Sequence, residues 1–314
     1  MPKRGSRATA PGSSPPGSAL RVRPSPGALV CFFVSDLHGR LDLYEKLFEA
    51  VLQERPRAVF LGGDLLPSHL YALSPAVRAF PDFTEDFLTP KFSEVKRAMG
   101  RRYPKVFLIL GNDDTRSAEP AILAGAARGL WEYLQNRRSA LSDFPVYGYA
   151  YVPPTPFRLK DWERYDVSRY VDPGCTAPDE GAHSVPVSDY EINNATIQAD
   201  LEHLAGQDDL SRAVFLFHSP PYQTNLDRAA LDGRMIDHVP FDVNVGSIAV
   251  RRFIETRQPL LTLHGHVHES ARITGSWRDR IGRTYALSAA HDGPELALVR
   301  FAPEEPEGAT RELL

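Results

Sequence analysis

Six short apolar runs, each ended by glycine, proline or a polar residue, constrain this chain more than any other feature. They are "ALVCFFV" at 28–34, "AVFLGG" at 58–63, "KVFLILG" at 105–111, "VYGYAYV" at 146–152, "RAVFLF" at 212–217 and "PLLTLHG" at 259–265. Runs of this length read as strands buried on both faces. Helical periodicity falls between several of them, over 42–55, 92–99, 120–137, 188–205 and 247–257. The fourth helix opens with a capping box, Ser188 followed three residues later by Glu191. Strands alternating with helices predict an α/β fold with largely parallel sheets. The last apolar runs, 283–289 and 295–301, predict a closing hairpin.

The ends of the chain read differently. Residues 1–27 are rich in Pro, Ser and Arg, lack acidic residues and carry little that can be buried, so they predict a disordered tail. A transit peptide is the less favoured alternative. Residues 302–314 are expected to be a second solvated tail. Between the tails, 28–301 is expected to form one domain carrying three long insertions, 65–91, 153–187 and 219–246; loops of that length in a compact domain usually serve function. No apolar run reaches the ~20 residues needed to span a bilayer, and no secretory signal pattern opens the chain. Cys31 sits inside an apolar run and Cys175 in a Pro/Gly-rich loop, so no structural disulfide is expected and a cytoplasmic location is. The formal net charge of -4 argues against a chain built mainly to grip nucleic acid.

In α/β folds ligands bind at the carboxyl ends of strands. The residues that follow the runs are therefore the informative ones. "SDLHGR" brings Asp36 and His38, "GGDLL" brings Asp64, "GNDD" brings Asn112, Asp113 and Asp114, "HSPP" brings His218, and "LHGHVH" brings His264, His266 and His268. Each alone has an ordinary explanation as a helix cap, a turn residue or a satisfied polar group. Five such stations at five strand ends call for a shared purpose.

The ordered set D-x-H, G-D, G-N-D-D, H and G-H-x-H, spanning Asp36 to His268, resembles the calcineurin-like metallophosphoesterase superfamily. The resemblance implies a four-layer α/β/β/α sandwich with two mixed sheets and a two-metal site along the strand ends. It implies that Asp36, His38 and His268 hold one divalent ion, that Asn112, His218 and His266 hold the other, and that Asp64 bridges them. His264 lies outside the motif, in a supporting role. The chemistry agrees: paired divalent cations can bind both oxygens of an in-line phosphoryl displacement and lower the pKa of a water. Mixed imidazole, carboxylate and amide ligands suit Mn, Fe, Zn, Co or Ni rather than Ca.

One position departs from the pattern. Where many members of the superfamily carry a histidine that serves the leaving oxygen, this chain has Asp113, whose carboxylate repels a phosphate unless protonated or paired. That puts monoester hydrolysis in doubt more than metal binding, and a phosphodiesterase acting on a small-molecule or nucleotide ester is favoured. A monoesterase, a nuclease acting on nucleic acid, and a non-catalytic metal-binding scaffold for protein partners stay open as alternatives. Asp113 and Asp64 are the expected catalytic groups, and Asn112 and Arg40 the expected substrate contacts. Arg228, Arg234 and His238 are weaker pocket candidates for which loop packing is the simpler reading, and His291 and Asp292 read as turn residues. A metallo-β-lactamase reading of "HGHVHE" fails because His268 stands where that motif requires aspartate.

Overall fold

The computed structural model describes residues 28–68, 80–236 and 238–314; the expected tail at 1–27 and part of the 65–91 insertion lie outside them. The expected runs become strands where the sequence is most apolar: β1 (Cys31–Val34), β2 (Ala58–Gly62) and β3 (Lys105–Ile109), then β6 (Phe144–Tyr149), β7 (Val214–Phe217) and β10 (Leu261–His264). Shorter strands complete two mixed six-stranded sheets: β4 (Glu132–Tyr133), β5 (Arg137–Leu141), β11 (Arg278–Ile281), β12 (Thr284–Ser288), β13 (Ala297–Phe301) and β14 (Thr310–Leu313). The first sheet runs β14-β13-β1-β2-β3-β4 and the second β11-β12-β10-β7-β6-β5. Parallel pairing holds the centre of each sheet, β1 to β4 in the first and β12-β10-β7-β6 in the second; antiparallel strands close three of the four edges. A small hairpin, β8 (Met235–Ile236) and β9 (Val239–Pro240), stands apart.

The sheets face one another, β2 against β7 and β3 against β6. Helices cover their outer faces. On the first sheet, α1 (Leu41–Glu54) turns Leu43, Tyr44, Leu47, Phe48 and Val51 inward at helical spacing, and Phe48 meets Phe92 of α2 (Thr89–Met99) edge to face with centroids 5.0 Å apart. On the second, α5 (Ile197–Ala205) and α6 (Ile248–Arg257) lie side by side, with Phe253 of α6 packed on Phe215 of β7 at 5.1 Å. This is the expected α/β/β/α sandwich. Among the described residues no helix is long and apolar enough to cross a membrane.

Four expectations need correction. The single helix at 120–137 is a shorter one, α3 (Glu119–Ala127), because Gly129 takes a left-handed φ of 69° and the chain doubles back. Trp131 then lies over Gly125 and donates its indole N–H to the Ile122 carbonyl at 2.8 Å, leaving 132–141 to form β4 and β5. The helix at 188–205 is two, α4 (Asp189–Asn194) and α5, broken at the extended Ala195; Thr196 caps the second by accepting from the Ala199 amide. The closing hairpin does not form: β12 belongs to the second sheet and β13 to the first, so the chain crosses between sheets and the tight turn falls instead between β11 and β12. Residues 302–314 are not a solvated tail, since β14 pairs antiparallel with β13 from Ala297–Leu313 to Arg300–Thr310.

The 153–187 insertion has almost no regular structure, yet it is tied down by buried acids. The Asp161 carboxylate accepts from the Arg116 and Ser184 amides at 2.7 and 2.8 Å. Asp166 accepts from the Ile248 and Ala249 amides at the start of α6 and from the Ser247 hydroxyl, satisfying donors that helix geometry leaves open. A fully buried pair, Lys160 and Glu163, closes the loop on itself.

Candidate metal centre

The carboxyl ends of β1, β2, β3, β7 and β10 converge on one rim, and the residues just past them turn abruptly. Asp36, His38, Asp64 and His266 all adopt left-handed backbone, at φ 59°, 45°, 51° and 73°. Non-glycine residues there cost of order 1–3 kcal/mol each and persist where surrounding structure holds them for function. Hydrogen bonds do that here. The Asp36 amide donates to the Gly63 carbonyl and the His38 amide to Asp64, while the His266 amide donates to the Asp36 carboxylate at 3.0 Å. Glycine is needed where these turns crowd together: a Cβ on Gly111 would lie 2.3 Å from Asp64 Oδ1 and 2.7 Å from His218 Nε2.

Two groups of ligand atoms result. Asp36, His38, Asp64 and His268 form one, and Asp64, His218 and His266 the other, with the atoms of each within 4.8 Å of one another. Asp64 belongs to both. Its Oδ2 lies 3.3 Å from His218 Nε2 and 3.9 Å from His38 Nε2, and its Oδ1 accepts from the Asp113 amide at 2.8 Å. His268 Nε2 lies 3.4 Å from Asp36 Oδ1 and 3.2 Å from His38 Nε2. Asn112 joins the second group through Oδ1, 3.1 Å from His218 Nε2.

The electrostatics of these side chains suit a cation. His218 Nδ1 lies 2.7 Å from the Gly62 carbonyl, so that nitrogen carries the proton and a neutral ring would turn a bare Nε2 lone pair toward two oxygens, those of Asn112 and Asp64. Three acceptors converging on one point repel unless positive charge lies among them. In the protein alone a second proton serves: burial works against it, but the Asp64 carboxylate pushes His218 up to about 10. In the same way His268, opposed by burial and held by Asp36, is pushed up to about 9. Burial would raise the two carboxyls, yet His268 brings Asp36 down to about 2, and His218 and His38 hold Asp64 well below the carboxylate range. His266 is driven the other way, to about 3, by burial and by its neighbour His218, and stays neutral as a ligand must. Divalent cations would supply the same balancing charge without protons, so the donor set fits them.

The remaining candidates sort themselves by their contacts. His264 faces away from both groups: Nδ1 is 2.9 Å from the Ser219 carbonyl and Nε2 2.8 Å from Thr262 Oγ1, and burial lowers it to about 4. Asp113 stands at the mouth, about one-third exposed, with Oδ2 3.6 Å from His38 Nδ1; burial and the charge of Asp64 raise its carboxyl. Asp114 is fully buried and accepts from the amides of Leu65, Leu66 and Gly111 at 3.1, 2.7 and 2.9 Å, latching the turn after β2 to the turn after β3. Arg40 borders the cleft, with its guanidinium engaged by Asp42 and by the Gly293 and Pro294 carbonyls. Arg228 bonds Asp232 and the Ala229 carbonyl, while Arg234 and His238 are exposed on their loop. Sequence reasoning missed Ser35, whose hydroxyl donates to Asp36 Oδ2, and the inward face of the 289–297 crossover. The crossover bounds a cleft of about 260 Å³ that opens directly onto Asp36, His38, Asp113 and His268.

Fold and rim together define a two-sheet α/β protein with an Asp/His cluster suited to divalent metal. The family model of the calcineurin-like phosphoesterases matches residues 30–270. One solved structure superposes with a TM-score of 0.57 at 15% identity, covering 91% of this chain and 99% of its own. TT1561 of Thermus thermophilus superposes at 0.51 and 14% identity, over 91% and 98%. At such identities these two speak for the fold alone. No curated protein matches. This chain belongs to the calcineurin-like phosphoesterase family.

Proposed function

We propose that this protein is a dinuclear-metal phosphoesterase that favours phosphodiesters over monoesters. The observation that carries the reading is the sharing of Asp64 between two ligand groups, one of which lines a cleft through Asp36, His38 and His268. Two bound divalent cations, of Mn, Fe, Zn, Co or Ni, would supply positive charge against the phosphate oxygens and acidify a water for in-line attack. Asp36, His38 and His268 would hold one ion and Asn112, His218 and His266 the other, with the Asp64 carboxylate available to both. The Gly62 carbonyl fixes the His218 ring so that Nε2 points into the site. Arg40, its guanidinium paired with Asp42, borders the cleft as a candidate substrate contact, and Asn112 would meet the phosphate from beside Asp113.

The diester preference rests on Asp113. Divalent cations beside Asp113 would oppose the burial and the Asp64 charge that raise its carboxyl; against the ionised group a monoester dianion would bring two negative charges and need another acid at its leaving oxygen, whereas a diester brings one, and an aryl or strained cyclic diester leaves with less help. Asp292 and Glu295 add further acid to the cleft wall, which favours small phosphate esters over a polyanionic nucleic acid. Both cysteines are free, compatible with a reducing setting such as the cytosol.

Values of kcat/KM for matched aryl mono- and diesters test this reading. The wild type is expected to prefer the diester, and Asp113→His to raise the monoester-to-diester ratio about tenfold or more with metal content retained. A wild-type preference for the monoester, with no relative gain in Asp113→His, would overturn it.

A further inference from the structure

The crossover from β12 to β13 is held with more care than a connecting turn requires. Three arginines from separate parts of the chain grip it. Arg311 of β14 donates to the Ala290 carbonyl at 2.7 Å, Arg272 of α7 (Ser270–Thr274) to Asp292 Oδ2 at 2.7 Å, and Arg40, just before α1, to the Pro294 carbonyl at 2.8 Å. Between these anchors His291 Nε2 meets Glu295 Oε2 at 3.0 Å. That pairing depends on Gly293: a Cβ there would sit 2.4 Å from both His291 Nε2 and Glu295 Oε2. A side chain at position 293 would therefore come between the imidazole and its carboxylate.

His291 lines the same cleft of about 260 Å³ as Asp36, His38 and His268, and its side chain is 18% exposed. The carboxylate beside Nε2 fixes the tautomer, with the proton on Nε2 and the lone pair on Nδ1. The nearest acid to Nδ1, Asp292, stands 4.0 Å away, outside hydrogen-bond range. A ring oriented in this way offers an acceptor to a hydroxyl. It has nothing comparable for a bare aryl ring.

Resting on the phosphoesterase reading above, we infer that His291 is a specificity-determining residue that accepts a hydrogen bond from a hydroxyl on the organic group of the ester, so that the site takes phosphodiesters of sugar or other polyhydroxy alcohols. The cleft divides accordingly: the phosphate lies against His38, His268 and Asp113, and the alcohol against His291 and Glu295. A site built to hydrogen-bond a substrate group discriminates against analogues lacking it, because its own polar atom is then left unpaired.

Two substrates with the same leaving group isolate the effect, thymidine 5′-(4-nitrophenyl phosphate) and bis(4-nitrophenyl) phosphate. The ratio of kcat/KM for the first over the second is expected to fall about tenfold in His291→Ala and by a smaller factor in Glu295→Gln, with metal content equal to wild type. Calorimetric binding of thymidine 5′-monophosphate to the metal-loaded protein is expected to weaken at least about fivefold in His291→Ala while phenyl phosphate binds both proteins alike. An unchanged ratio, or equal weakening for both ligands, overturns the inference. If the wild type hydrolyses neither ester, the phosphoesterase reading falls, and the binding comparison still decides the role of His291: equal binding by wild type and variant, or none by either, overturns it.

Discussion

His264, His266 and His268 alternate in one short stretch, yet they do three different things. The period of two suggests a single face, but the strand ends at His264 and the left-handed turn at His266 breaks the alternation, so His264 stays in the core while the other two reach different ligand groups. Spacing within the stretch could not distinguish them; position in the ordered motif could. The contacts make the difference testable. Replacing His264 by Ala removes two satisfied ring nitrogens, leaves the Ser219 carbonyl and Thr262 hydroxyl without them, and opens a hole beside Phe217, whose ring stacks at 5.6 Å. His264→Ala is expected to cost about 2–4 kcal/mol in chemical denaturation while the metal bound per folded chain is unchanged. A loss of metal without loss of stability would show that His264 is a ligand. Asp113 was legible as a departure from the pattern, but its nearness to His38 was not, because it arises from a contact between turns 75 residues apart.

At the scale of elements, the buried strands were legible because a parallel strand covered on both faces leaves an unbroken apolar run. Helix ends and edge strands were less so. "ARGLW" contains the glycine that ends α3, but the apolar periodicity continues through Trp131, whose ring is buried by folding back rather than by extending the helix. The 153–187 insertion was legible only as a long loop, since its partners are remote: Asp166 caps a helix that begins 82 residues later. Its buried Lys160–Glu163 pair predicts a measurable stability effect. Lys160→Met leaves the Glu163 carboxylate buried without its cation and is expected to destabilise by about 3–5 kcal/mol at pH 7. Burial raises Glu163 from 4.5 to about 6 despite Lys160. A raised folded value means its contribution to stability is full below about 4.5 and lost as pH rises through about 6, so Glu163→Gln should flatten stability against pH in that window. Urea melts across pH 4 to 8 give both answers, and a Lys160→Met protein as stable as wild type at pH 7, or a Glu163→Gln protein with an unchanged slope, would contradict them.

Over the whole molecule, the sandwich brings residues from Asp36 to His268 onto one rim by pointing the parallel centres of both sheets the same way, and the returning strands β13 and β14 then close the first sheet. The resemblance of the ordered motifs to the calcineurin-like family was enough to expect the α/β/β/α arrangement, and it implied the ligand set. The route of the chain after β12 was not legible: two apolar runs separated by a short polar stretch look alike whether they pair with each other or cross to another sheet. That crossover puts His291 in the cleft. If one carboxylate, Asp64, joins two metal sites as proposed above, metal stoichiometry measured after reconstitution with Mn and exhaustive dialysis reads it out. Wild type is expected to retain two ions per chain, and Asp64→Asn to lose affinity for both together. A wild type that retains no transition metal, or an Asp64→Asn protein that still holds two ions as tightly, would contradict the account.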